Sequence, residues 1–259
     1  MTDDLLDDLS GLEAEPQTVS ARPRLAQRLV ALAEVVLCSD VPTQVALGLL
    51  LKQLGWSPLE ANGALSFRFI VTLSLVDVVL LLGLILLCLR AAGERPTDLW
   101  LGRRPVWREA WLGLRLVPVV FLIVAVLVST ARYLVPALHN VVDNPLERLA
   151  SGPLQAAIFI VVVIVAGGVR EELQRAFLLR RFEQYLGGRW VGLIVLSTAF
   201  GLGHTMQGWD AVIATGALGA FWSLIYLRRR SSVAPIVSHA TFNALELAIA
   251  LLTGTIGAV

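Results

Sequence analysis

Apolar residues in this chain run on without the interruption a soluble amphipathic helix shows, for about twenty positions at a time. A helix needs about 20 such residues to cross the bilayer core. Seven segments qualify: residues 28–56, 67–89, 111–133, 153–186, 190–206, 210–227 and 232–255. The first carries Asp40 and Pro42 near its middle and is expected to break there, giving eight spans if the break is a hairpin. The fourth is too long for a simple span, and its last turns are charged. The predicted fold class is therefore all-α: a polytopic membrane helix bundle of about seven transmembrane helices.

Composition agrees. Of the 259 residues 56% are hydrophobic and 16% charged, where a soluble domain has roughly 45–50% and about 25%. The net charge of +1 decides little, but the placement of charge decides orientation. With the N-terminus inside, the inner segments collect Arg22, Arg24, Arg28, Arg90, Arg95, Arg103, Arg104, Arg108, Arg180, Arg181, Arg189, Arg228, Arg229 and Arg230, which is 14 of the 21 basic residues. The positive-inside rule then predicts a cytoplasmic N-terminus and an external C-terminus. The first twenty residues are acidic and lack the positive start of a signal peptide, so the first membrane helix is expected to be its own insertion signal. Cys38 and Cys88 lie in apolar segments and read as buried thiols. Trp100, Trp107, Trp190 and Trp209 fall near span ends, where indoles favour the interface, and Arg228–Arg230 reads as an anchor to the anionic leaflet. His139 reads as a solvated loop residue.

Against this background a few ionisable residues stand out, because at bilayer depth they are costly and by default functional. Glu171 lies nine residues before Arg180, and His239 nine after Arg230, so both sit roughly 13 Å from the arginine-marked face. Glu171 and His204 are equally far from a turn expected at Gly187–Gly188. Three helices thereby bring Glu171, His204 and His239 to one level, and Asn243 follows His239 by one turn on the same face. Glu171 and Glu172 point about 100° apart. One is expected to face the site while the other pairs with Arg170 or Arg175. Gly167–Gly168, just before the glutamates, reads as a close helix contact. Carboxylates and imidazoles converging from separate helices are what a hydrolase uses to activate water.

Three motifs order these residues: Glu171-Glu172-Leu-Gln-Arg175, Phe200-Gly-Leu-Gly-His204 and His239-Ala-Thr-Phe-Asn243. In this the chain resembles the CPBP family, the CAAX prenyl endopeptidases and bacteriocin-processing (Abi-like) enzymes. That family is marked by Glu-Glu-x-x-x-Arg, Phe-x-x-x-His and His-x-x-x-Asn on successive membrane helices. The first motif departs from the pattern: its arginine comes one position early, and Ala176 holds the expected place. The resemblance covers roughly residues 153–255 and implies intramembrane proteolysis near the cytoplasmic face.

Two versions of the chemistry follow from the resemblance. In one, Glu171 or Glu172 is general base on a water held by His204, while His239 and Asn243 stabilise the oxyanion and Arg175 supports the site. In the other, Glu171, His204 and His239 hold a catalytic Zn2+, although the local His-Glu-x-x-His signature is missing. The cofactor expectation is accordingly none or zinc. A silent scaffold of the same fold and a proton-coupled transporter are the competing classes; the second predicts inverted repeats, and none is visible.

The expected organisation is an acidic cytoplasmic tail at 1–27, variable transmembrane helices at 28–150 and a catalytic core at 151–259. Expected partners are the lipid bilayer and a membrane-associated protein or peptide substrate, prenylated or unmodified, with no nucleic acid. The expected location is a bacterial cell membrane.

Overall fold

The computed structural model describes residues 23–142 and 144–253. Most of the acidic tail and Asp143 lie outside them. Every regular element among the described residues is helical. In chain order these are α1 (Leu25–Leu37), α2 (Val41–Gln53), α3 (Phe67–Ala91), the short α4 (Pro96–Trp100), α5 (Val106–Leu134), α6 (Pro153–Val162), α7 (Glu171–Tyr185), α8 (Arg189–Leu202), α9 (Trp209–Arg229) and α10 (Val233–Leu252). A π-helical segment, Val163–Arg170, joins α6 to α7 in one continuous helix of 33 residues.

Five helices are long and apolar enough to span a membrane, or six when α1 and α2 count as one bent span. The break at residues 38–40 turns the chain by only 42°, so the first segment is not a hairpin and the eight-span count falls away. The segment 190–206 is a second correction. Only Arg189–Leu202 is helical, 14 residues or about 21 Å, which is short of the roughly 30 Å hydrocarbon core. It ends early because Gly203 and His204 leave the helix and Thr205–Gln207 forms a 3-10 turn.

Two apolar surfaces organise the bundle. Leu81, Ile85 and Leu89 of α3 pack with Phe177 and Leu179 of α7, and Val120 of α5 packs with Leu218, Trp222 and Phe242. The outward faces are equally apolar, with Val79 at 70%, Leu87 at 65% and Leu122 at 63% exposure. Such surface has no place in water, and the chain is an integral membrane protein.

The helix α7 inverts the usual pattern. Its buried positions include Glu172, Gln174, Arg175 and Arg181. Each has polar partners within the protein: Gln174 Nε2 donates to the Cys38 carbonyl at 2.8 Å, and Arg181 pairs with Glu34 and Glu94. Helices from residues 28–150 thus act as the polar shell of α7. The expected turn after α7 is present, with Gly187 and Gly188 at φ 100° and 95°, a region open to glycine.

Two arginines of the run at the end of α9 have protein partners. Arg229 binds Glu109 of α5 at 2.6 Å, and Arg230 forks onto both oxygens of Glu183 at 2.6 Å. Glu109 is wholly buried, which makes the first pair costly to break. Arg229→Ala is expected to destabilise the protein by roughly 3–5 kcal/mol. Arg228→Ala, which removes no ion pair among the described residues, is expected to change stability by only about 0.5 kcal/mol. Thermal unfolding in detergent measures both. His139 is likewise bound rather than solvated: Asp210 accepts from its Nδ1 at 3.0 Å and from Arg132 Nε at 2.8 Å.

Candidate active site

The site is assembled where α10 meets the π segment. The contact is close because Gly168 has no side chain: a Cβ there would lie 2.5 Å from the Ala240 Cβ and 2.6 Å from its Cα. Ala240 is the residue after His239, so this approach sets His239 beside the start of α7. Gly167 makes room for a polar side chain. A Cβ on it would lie 2.6 Å from Asn243 Nδ2, which donates to the Val163 carbonyl at 3.4 Å. The π segment, a form that recurs at functional sites, therefore holds Asn243 at one end and presents Glu171 at the other.

Both glutamates reach His239, on opposite sides of its ring. Glu172 Oε1 lies 2.9 Å from Nδ1, and Glu171 Oε2 lies 3.9 Å from Nε2. The 100° between the two side chains is resolved by the ring having two nitrogens. Since an ionised carboxylate only accepts, the hydrogen on Nδ1 is assigned to the bond with Glu172. Glu172 also accepts from Arg175 and is 2% exposed, whereas the Glu171 side chain is 20% exposed. Glu172 is thus the paired carboxylate and Glu171 the accessible one. Glu171 meets a cation too, Arg170 Nη2 at 3.4 Å.

The early arginine of the first motif falls within this cluster. Arg175 is buried three residues after Glu172 and binds it, with its guanidinium 4.5 Å from the Phe200 ring and 5.7 Å from the Trp222 ring. Ala176, by contrast, is 1% exposed in the apolar core with Leu81, Ile85 and Phe177. A guanidinium at 176 would enter that core unpaired.

The His204 side chain stands one ring away. Its Nδ1 lies 2.8 Å from the Phe200 carbonyl, and its ring meets Phe200 edge-on at 4.8 Å. Phe200 in turn meets His239 edge-on at 6.1 Å. No direct hydrogen bond or ion pair joins His204 to either glutamate or to His239 among the described residues. In the same set no group of three or more His, Cys, Asp and Glu side chains is disposed to hold a metal ion.

Four contributors escaped the sequence reading. Trp222 stacks on His239 at 3.8 Å and 16°, and its Nε1 donates to Ser238 Oγ at 3.3 Å. Trp100, read as an interface residue, donates its Nε1 hydrogen to the Leu173 carbonyl at 3.1 Å. Asp40 and Asp77 both bind Arg170, Asp77 at 3.2 Å. A tryptophan in mid-span instead of at an interface, and aspartates within apolar runs, were the available signals.

Comparison with known proteins agrees with the motifs. Residues 153–245 match the family model described as Rce1-like, type II CAAX prenyl endopeptidase Rce1-like. No curated protein and no solved structure matches the chain.

Proposed function

We propose that this chain, whose residues 153–245 match the Rce1-like family model, cleaves a peptide bond of a membrane-associated protein or peptide near the cytoplasmic face. The observation that carries the reading is the pair of glutamates on opposite nitrogens of one buried histidine. Glu171 is the accessible member and serves as general base. The 3.9 Å between its Oε2 and His239 Nε2 is beyond direct hydrogen-bond reach, the separation at which a water bridges two groups.

The step proceeds with its protons accounted for. Glu171 takes a proton from that water as the oxygen attacks the scissile carbonyl, and later passes it to the departing amine. His239 acts in its doubly protonated form, donating Nδ1–H to Glu172 and Nε2–H to the carbonyl oxygen. Asn243 offers its remaining amide hydrogen, a donor that carries no charge. Arg175 and Trp222 fix Glu172 and the His239 ring, so little reorganises when charge develops. His204, its Nδ1 facing the Phe200 carbonyl, turns Nε2 to the water or to the substrate backbone. The arginine-marked helix ends support a cytoplasmic placing of that face, the side from which substrate enters in this proposal.

A screen of labelled peptides, prenylated and unmodified, incubated with the protein in detergent tests the activity. Cleavage is expected, and is expected to persist after exhaustive chelation with no metal found in the purified protein. Activity that disappears on chelation and returns with Zn2+ would overturn the metal-free version. Cleavage that survives Glu171→Ala, Glu172→Ala and His204→Ala alike would overturn the protease reading itself.

A further inference from the structure

Arg170 is the one residue beside the glutamates that the mechanism above leaves without a task. It sits between three carboxylates. Nη1 binds Asp40 and also Asp77 at 3.2 Å, while Nη2 reaches Glu171 Oε1 at 3.4 Å, the loosest of the three contacts. Its Nε donates to the Ala166 carbonyl at 3.2 Å, within the π segment.

The two aspartates are built to hold it. Asp40 lies at the break between α1 and α2 with φ at 81°, a conformation that few side chains accept and that clusters at functional sites. Its second oxygen is fixed by Gln44 Nε2 at 2.7 Å, and its carbonyl by Thr43 Oγ1 at 3.0 Å. Asp77, in the middle of the most apolar span, is 1% exposed and meets Arg170 through Oδ2.

A base must keep its carboxylate free. An arginine closing fully on Glu171 would form a two-pronged ion pair and make it a poor proton acceptor. We infer that Asp40 and Asp77 are positioning residues that hold Arg170 back from Glu171, so that the break in the first span is part of the active site. This inference rests on Glu171 being the base.

The test is a suppressor experiment on the full chain in detergent. Asp40→Asn/Asp77→Asn is expected to lower kcat at least about tenfold with KM nearly unchanged, because Arg170 then closes on Glu171. Adding Arg170→Gln is expected to restore kcat, which loss of a merely structural contact would not do. Gln174→Ala removes another link between the same break and α7 without touching Arg170, and is expected to keep kcat near wild type. Labelling of Glu171 by dicyclohexylcarbodiimide, read by peptide mass spectrometry, needs no turnover. It is expected to slow several-fold in the Asn/Asn variant and to recover in the triple variant. Unchanged labelling, or a triple variant slower than the double, would overturn the inference. A chain that cleaves no peptide but shows the labelling pattern keeps the tether and loses the protease assignment.

Discussion

Glu171→Gln is expected to cut the turnover of a labelled peptide by about 10²- to 10⁴-fold, the range for removing a positioned general base. KM should hardly move, because the amide keeps the size of the carboxylate and loses only its ability to take a proton. Glu172→Gln is expected to lose less. Glu172 touches the reaction through His239, and the amide oxygen can take the place of Oε1, which accepts from both His239 Nδ1 and Arg175. Single-turnover cleavage by the two variants ranks them directly. The reverse ranking would exchange their roles and make Glu171, the more exposed carboxylate, the supporting one.

The second large effect comes from two adjacent glycines with unequal work. Gly168→Val drives new atoms into the backbone of α10 at Ala240, where nothing can swing aside. Overpacking of this kind costs about 1–3 kcal/mol, and because α10 carries His239 and Asn243 the site separates with the helices. Gly167→Ala meets only the carboxamide of Asn243. That variant is expected to fold but to lose about 10²- to 10³-fold in kcat, as for removal of one oxyanion donor, and to match Asn243→Ala. Thermal unfolding and kcat measured side by side separate the two glycines. A Gly167→Ala enzyme of wild-type activity would remove Asn243 from the oxyanion hole.

The sequence read differently well at different scales. The long spans were legible because continuous apolar runs have one explanation, and the depth argument put Glu171 and His239 together because helix rise is regular. It overreached at His204. The helix is not unbroken over 190–206: Gly203 and His204 have already left it, and the His204 ring packs edge-on against Phe200. Arg175 seemed misplaced against a family pattern, although the local requirement is that an arginine reach Glu172 and avoid the apolar face at Ala176. Asp40 and Asp77 were visible as charges in apolar runs. Their shared partner was not, because Arg170 lies 130 and 93 positions further along the chain. Pairings of that separation have no local signature.

The same long separation shapes how the molecule is made. Glu109 leaves the ribosome 120 residues before the arginine that neutralises it. At 5–20 residues per second that is an interval of roughly 6–24 s. Through that interval α5 carries an uncompensated carboxylate at its first turn, and it can seat fully only when α9 brings Arg229. Glu183 waits for Arg230 over a shorter stretch of 47 residues. The late helix α9 therefore closes two earlier ones with a single turn of sequence, and only α10 remains to be added. A partly synthesised chain therefore holds Glu171 and Glu172 without the His239 that lies between them in the finished bundle.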